Sequence, residues 1–76
     1  MAELLEFLAR KLVANPGEVH VETSEEDGML ILHLRVAEED VGQVIGRQGR
    51  IARALRTIVR AGGAHEGRRM MLEIAG

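Results

Sequence analysis

The hydrophobic period changes three times along this sequence, and these changes constrain its fold more than any other feature. From Glu3 to about Val13 the apolar residues follow the i, i+4, i+8 stripe of an amphipathic helix. Asn15-Pro16-Gly17 would end this helix, because proline cannot continue it and glycine turns freely. The stripe consists of Leu4, Leu5, Leu8 and Leu12, with Phe7 beside them, and we expect Phe7 to be a core residue.

After this helix the period falls to two. Val19–Thr23 and Leu30–Val36 both alternate, which predicts an antiparallel hairpin with a turn at Ser24–Gly28. Helical spacing then returns in a short helix from about Glu38 to Ile45. Its acidic start suits the positive end of the helix dipole.

A longer helix is expected from near Arg50 to a glycine cap at Gly62-Gly63. The last segment, Arg69–Ala75, alternates again, which predicts a final strand. The predicted order is therefore α-β-β-α-α-β. One side of the longer helix is apolar and consists of Ile51, Ala54, Leu55, Ile58 and Val59. Of these we assign Ile51, Leu55 and Ile58 to the core. The opposite side carries four arginines within an arc of about 120°: Arg50, Arg53, Arg56 and Arg60.

The size of the chain limits its function. Seventy-six residues make one small domain, with room for a surface site but little room for a deep catalytic cleft. The longest apolar run, Met29–Leu32, is far shorter than the roughly 20 residues that a membrane span needs. Acidic Glu3 and Glu6 stand where a secretory signal would be basic, and the absence of cysteine excludes disulfides and thiolate metal sites. We expect a soluble cytoplasmic protein.

The net charge of −2 conceals a strong segregation of charge. Residues 1–40 carry ten acidic and three basic side chains, whereas residues 41–76 carry seven arginines and two acidic side chains. Between Val41 and His65 there are five arginines and no acidic residue. A solvated helix face would explain such a run, but so would a surface that binds phosphates.

No catalytic or metal site is apparent in the sequence, and we predict neither an enzyme nor a cofactor. The histidines are isolated; His20 and His33 could face one another across the hairpin, but a ligand role is not favoured. Ser24 falls in an acidic turn without an evident base. Gly46-Arg47-Gln48-Gly49 is too short for a P-loop and lacks the Gly-Lys-Ser/Thr ending.

The segment Gly46-Arg47-Gln48-Gly49 is nevertheless the most informative motif. Two glycines between helices allow a ligand to approach the backbone closely. The loop leads into a helix N-terminus, where free N–H groups and the helix dipole favour a phosphate, and Arg47 and Arg50 add charge. A plain helix–helix turn can also contain two glycines, so the motif alone does not decide.

The stretch from Val41 to Ile51 resembles the V-I-G-x-x-G-x-x-I signature of KH domains. Two strands before it and one after resemble the type II arrangement of these domains. Over nearly its full length the chain is also similar to small bacterial RNA-binding proteins that consist of a single KH domain. The chain departs from that pattern at Gln43 and Arg47, where lysine is common, and at Glu38, where proline is usual.

This resemblance implies an α+β fold over residues 1–76, a type II KH domain whose three-stranded mixed sheet carries three helices on one face. It implies a central second strand, antiparallel to the first and parallel to the third. It also implies a groove for about four nucleotides of single-stranded RNA, clamped by the G-x-x-G loop. The implied RNA-binding residues are Val41, Gly42, Ile45, Gly46, Arg47, Gln48, Gly49, Arg50 and Arg53. Gly42 and Gly46 could serve either close helix packing or room for a base.

The composition agrees with a KH groove, because Phe7 is the only aromatic residue and other RNA-binding modules stack bases on aromatic side chains. The implied role is a post-transcriptional regulator or RNA chaperone. One alternative is a protein-interaction module with weak or lost RNA binding; another is a small nucleotide or phosphate site at the loop. Since four nucleotides give little selectivity, we expect a homodimer or a complex with another RNA-binding protein. If the chain is instead a protein-interaction module, the outward face of the sheet would bind the partner. This face consists of His20, Glu22, Ile31, His33, Arg35, Met71 and Glu73.

Overall fold

The structure, a computed structural model, describes residues 1–76 and confirms the order α-β-β-α-α-β. Short 3-10 turns precede β1, α2 and α3, at Pro16–Glu18, Glu38–Asp40 and Arg47–Gly49. None of the helices combines the length and the apolar character that crossing a membrane requires. The elements are α1 (Ala2–Leu12), β1 (His20–Glu26), β2 (Met29–Arg35), α2 (Val41–Ile45), α3 (Arg50–His65) and β3 (Arg69–Ala75).

The three strands form one mixed sheet with β2 at its centre. β1 runs antiparallel to β2, with His20 opposite Arg35, and β3 runs parallel to β2, with Met29 opposite Arg69. Parallel neighbours need a crossover connection, which α2 and α3 supply. The predicted fold, three helices with a three-stranded mixed sheet, is confirmed.

The hairpin turn is shorter than the predicted turn at Ser24–Gly28. β1 continues through the acidic residues as far as Glu26, so only Asp27 and Gly28 connect the strands. Both have positive φ, 50° and 78°, as a type I′ hairpin turn requires. β1 lies at the edge of the sheet and is mostly exposed, which lets acidic side chains continue the ladder without burial.

One hydrophobic core lies between the sheet and the helices. The even-numbered residues of β2 and β3 point into it, as the alternation predicts. Ile31 of the predicted outward face is nevertheless buried, at 4% exposure, because it lies on the central strand between Ser24 of β1 and Met71 of β3. The core cluster consists of Leu5, Ala9, Val19, Leu32, Leu34, Val36, Val44, Leu55, Val59, Met70 and Leu72.

Two residues predicted for the core are instead exposed. Phe7 is 56% exposed and Ile58 is 38% exposed. The buried face of α1 is centred on Leu5 and Ala9, and that of α3 includes Ala52. The apolar stripe of each helix is wider than the surface with which the helix contacts the rest of the core, so part of the stripe remains exposed. Both helices turn a small alanine inward, Ala9 in α1 and Ala52 in α3, because small side chains permit a close approach.

The helix α3 does not end at Gly62-Gly63 but continues to His65. A Cβ atom on Gly63 would lie 2.5 Å from the carbonyl oxygen of Arg68 and 2.9 Å from Cγ of Met70. The N–H of Arg68 also donates to the carbonyl oxygen of Gly63 at 2.7 Å. Gly63 therefore allows β3 to pack directly on the helix, and Gly62 similarly accommodates the side chain of Met1.

Asp40 connects the start of α2 to the segment that follows α1. It is 2% exposed, and its carboxylate accepts hydrogen bonds from the N–H groups of Ala14 and Asn15 and from the side-chain amide of Asn15. The Asn15 side-chain hydrogen bond lowers the pKa of Asp40; burial opposes this, and the two backbone hydrogen bonds lower the pKa further. This acidic residue holds two chain segments together as well as preceding a helix.

Candidate nucleic-acid interface

The loop Gly46–Gly49 connects α2 to α3 through a backbone that favours glycine at both ends. Gly46 has φ 77° and ψ 171°, a region that is essentially restricted to glycine, and Gly49 has φ 73° and ψ 15°. A Cβ on Gly46 would lie 2.7 Å from Cγ1 of Ile51, whereas a Cβ on Gly49 would meet open space. Gly46 therefore serves both the turn and packing, while Gly49 serves the turn.

Gln48 is a non-glycine residue in the left-handed region, with φ 57° and ψ 24°. Its carbonyl oxygen accepts a hydrogen bond from Nη2 of Arg53 at 2.7 Å, and its side-chain oxygen accepts one from Nη2 of Arg50 at 3.4 Å. Arg50 and Arg53 thus turn back from α3 to support the loop. Sequence reasoning missed this bracing role, because no pattern in the residues signals a contact between an arginine and a loop carbonyl.

The surface of the loop suits a phosphate. Arg47, Gln48 and Arg50 are exposed, and no side chain caps the N-terminus of α3. The first turn of a helix presents N–H groups without intrahelical partners, and the dipole makes this end positive. The N–H groups of Gly49 and Arg50 donate to the carbonyl oxygens of Gly46 and Arg47. The exposed side chains of Arg47 and Arg50 lie at this positive end of the helix.

The structure separates the two roles considered for Gly42 and Gly46. Gly46 packs against Ile51, but Gly42 is exposed and a Cβ there would meet nothing within 4 Å. Gly42 therefore leaves its own position on α2 open to solvent, near the half-buried Val41 and Ile45. The surface beside the loop thus has aliphatic side chains and one position without a side chain.

The arginines of α3 form a continuous basic row. Arg50, Arg53 and Arg60 are exposed and Arg56 is half-buried, and none of the four pairs with a carboxylate. The helix itself contains no acidic residue. The predicted segregation of charge therefore becomes a positive surface that starts at the loop and follows α3.

On the outward sheet face, the prediction that Ser24 lacks a nearby base is wrong. Ser24 lies in β1, where its Oγ shares a 2.8 Å hydrogen bond with Nε2 of His33. Nδ1 of His33 lies 3.3 Å from Oε2 of Glu73 on β3. The longer hairpin creates this trio, because it moves Ser24 from the turn onto the strand.

This Ser24–His33–Glu73 trio remains in solvent. The side chains of His33 and Glu73 are 42% and 56% exposed, whereas a hydrolytic site depends on preorganised donors in a water-excluded pocket. The suggested pairing of His20 with His33 is also wrong, because His20 lies opposite Arg35 and His33 lies opposite Glu22.

Comparisons with known proteins give a consistent result. The family model described as KhpA/KhpB, KH domain, matches residues 2–74. The RNA-binding protein KhpA of Treponema pallidum is 56% identical over 72 residues, which cover 95% of this chain and 90% of that protein. The RNA-binding protein KhpA of Clostridium perfringens is 46% identical over 74 residues, which cover 97% and 99%.

A more distant structural neighbour shares the fold. A crystal structure of Aquifex aeolicus Era matches with a TM-score of 0.65 and 24% identity, over 96% of this chain. The chain spans only 28% of that structure. At this identity the likeness concerns the arrangement of helices and strands alone.

Proposed function

The chain belongs to the KhpA/KhpB KH-domain family, and from this premise we propose that it binds single-stranded RNA as one KH domain over residues 1–76. The observation that carries the proposal is the exposed loop Gly46–Gly49 at the uncapped N-terminus of an arginine-rich helix. The names of the related proteins, which describe RNA binding, support the same ligand.

The RNA backbone runs over the G-x-x-G loop in this proposal. Phosphates accept hydrogen bonds from the backbone N–H groups and from Arg47 and Arg50, and bases occupy the open space beside Gly42. About four nucleotides fit such a groove. Arg53 keeps the loop in its binding conformation through the carbonyl of Gln48. The complete proposed site is Val41, Gly42, Ile45, Gly46, Arg47, Gln48, Gly49, Arg50 and Arg53.

A double substitution in the loop tests this proposal. Arg47→Asp with Gln48→Asp places two negative charges at the phosphate position, and both side chains are exposed, so we expect the fold to persist. Binding to a fluorescent oligouridylate should be lost. Arg10→Asp with Lys11→Asp on α1 is the control, and it should leave RNA binding largely unchanged. It lowers the net charge by four, whereas the loop variant lowers it by three. A folded loop variant that binds RNA like the unchanged protein would contradict the proposal and favour a protein-interaction module.

The proposed activity is binding rather than catalysis, despite the Ser24–His33–Glu73 trio. Hydrolysis of p-nitrophenyl acetate provides a direct check, because a working nucleophile would release p-nitrophenolate. We expect Ser24→Ala and the unchanged protein to show the same rate. A rate that depends on Ser24 would contradict a purely binding role.

Assembly and cellular role form the last part of the proposal. A sequence of four nucleotides recurs too often in transcripts for one groove to select among them. Joining two grooves raises avidity by roughly 10² to 10⁴. We propose a homodimer or a complex with another RNA-binding protein in the cytoplasm, acting as a post-transcriptional regulator or RNA chaperone.

Exposed apolar side chains supply a surface for such assembly. Leu4 and Phe7 of α1 are 46% and 56% exposed, and Ile58 of α3 is 38% exposed. The packing of Met1 on Gly62 brings the start of α1 to α3, with Leu4 and Ile58 each about one helical turn from this contact. Sedimentation at micromolar concentration tests the idea: Leu4→Gln with Phe7→Gln should reduce any dimer, and a strictly monomeric parent that recruits no RNA-binding protein from extract would contradict it.

A further inference from the structure

The outer edge of β1 carries backbone groups that no part of the protein pairs. β1 lies at one edge of the sheet and is bonded to β2 on its other side. The two-residue turn makes Glu26 and Met29 a hydrogen-bonded pair, and such pairs alternate along an antiparallel ladder. The N–H and C=O groups of Val21, Thr23 and Glu25 therefore point away from β2. None of these six groups takes part in a turn, loop or side-chain hydrogen bond.

This edge of β1 is regular and open over its full length. Seven residues of β1 pair with seven of β2 without a bulge, and β1 contains no proline. Thr23 and Glu25 are exposed and Val21 is half-buried, so solvent reaches the edge. Proteins close such edges with short strands, bulges, proline or charged side chains, and β1 has only the charged side chains. The edge therefore has room for an added strand that runs the length of β1.

The charged side chains beside this edge are acidic. Glu22 and Glu26 lie on the outward face of β1; both are exposed, and neither forms an ion pair. Glu25, on the opposite face, is paired with Arg68, and β1 contains no lysine or arginine. An incoming strand therefore meets two uncompensated carboxylates four residues apart, which is about 13 Å along a strand.

These two carboxylates decide which kind of chain fits the edge. A second copy of β1, paired antiparallel about Ser24, would place Glu22 opposite Glu26 twice, and like charges directly opposite each other destabilise a sheet. RNA carries a negative charge at every phosphate and is repelled. A neutral strand gains the ladder hydrogen bonds alone. A strand with basic side chains at the matching positions gains the ladder and two pairs of opposite charge.

We propose that β1 is a docking edge for a lysine- or arginine-rich extended segment of another protein, which adds to the sheet as a fourth strand. Main-chain hydrogen bonds supply the affinity in this mode of recognition, and side chains supply the specificity. The basic residues of the added strand lie opposite Glu22 and Glu26, with a small residue between them opposite Ser24. None of these groups belongs to the proposed RNA site, so the inference goes beyond the proposed function and does not depend on it.

A synthetic peptide tests the proposal. The heptapeptide Thr-Lys-Thr-Ser-Thr-Lys-Thr has its lysines at the required spacing and reads the same in both directions, so it suits either orientation of the added strand. Amide hydrogen exchange followed by NMR reports on the N–H groups of Val21, Thr23 and Glu25, and the chemical-shift changes give Kd. At a free peptide concentration of about five times Kd, exchange of these three amides should slow by about sixfold, because protection scales as one plus the ratio of free peptide to Kd.

Two control peptides separate strand addition from charge attraction alone. Replacing both lysines by glutamate should abolish the protection, because the like charges repel. Methylating the backbone nitrogens of the lysine peptide keeps its charge but removes its donors and places methyl groups against the edge. This methylated peptide should also give no protection.

A charge-reversal variant exchanges the specificity. Glu22→Lys with Glu26→Lys changes two exposed side chains, and the glutamate peptide should now protect the edge while the lysine peptide does not. Glu3→Lys with Glu38→Lys makes the same charge change at exposed residues outside β1 and should keep the preference for the lysine peptide. If circular dichroism shows that the charge-reversal variant is unfolded, Glu22→Gln with Glu26→Gln takes its place and should bind both peptides equally.

The proposal is overturned if the lysine peptide at millimolar concentration leaves the exchange of the three amides unchanged. It is also overturned if the methylated peptide protects them equally, since the edge then attracts charge without adding a strand. A folded variant at residues 22 and 26 that keeps the full preference for the lysine peptide would overturn it as well.

Discussion

The two glycines of the loop should differ sharply in how far they tolerate alanine. Gly49→Ala places a Cβ in open space and meets only the cost of the left-handed backbone, about 1–2 kcal/mol. Gly46→Ala adopts a backbone region that is essentially restricted to glycine, at a cost of about 1–3 kcal/mol.

The same substitution also forces the new Cβ against Ile51, at 2.7 Å from Cγ1 and 2.9 Å from Cβ. Inserting a methyl group into packed surroundings costs about 1–3 kcal/mol. The expected total for Gly46→Ala is therefore about 2–6 kcal/mol, a large part of the stability of a small domain.

Urea unfolding followed by circular dichroism measures both free energies of unfolding. The double variant Gly46→Ala with Ile51→Ala, compared with Ile51→Ala alone, is informative, because removing Cγ1 of residue 51 should recover part of the steric cost and none of the backbone cost. Equal destabilisation by Gly46→Ala and Gly49→Ala, or a greater loss at Gly49, would refute this reading of the loop.

Other substitutions and conditions test the remaining features. Gly42→Ala should raise the free energy of unfolding in urea by about 0.5–1 kcal/mol, because alanine favours a helix and the new Cβ meets no protein atom. The same Cβ should weaken RNA binding, because it occupies the space proposed for a base. Unchanged RNA affinity would contradict that assignment. Asp40→Asn should lower the thermal midpoint at pH 7, and this difference from the unchanged protein should shrink as pH falls below about 4. The pKa of Asp40 is lowered from 3.8 in the folded state, so its carboxylate stabilises the fold above the unfolded pKa and loses this effect as pH falls through the folded pKa. A difference in midpoint that persists at pH 2 would count against the charged interaction. Single-stranded tetranucleotides should bind with a log–log salt slope of roughly −1.5 to −3, from two to four phosphate contacts, and equal affinity for a perfect duplex would contradict a narrow groove.

Local sequence patterns were sufficient for the order of elements and for the loop. Apolar spacing is a property of neighbouring residues, so β2 and β3 follow from alternation within their own segments, and the G-x-x-G loop follows from two glycines between two helical patterns. The mixed topology of the sheet followed from the resemblance to KH domains, whose signature extends from Val41 to Ile51.

Tertiary packing decided what these patterns leave open. Phe7 and Ile58 belong to apolar stripes, yet they are exposed, because the rotation of a helix on a sheet depends on which small side chains permit the closest approach. Gly63 resembled a helix stop but lies inside α3, where the chain that turns back into β3 packs on it, and the apolar spacing of the helix does not reveal this contact. Arg56 and Arg69 form one pocket only after the crossover brings their elements together, since the sequence specifies each face separately and folding determines which faces meet.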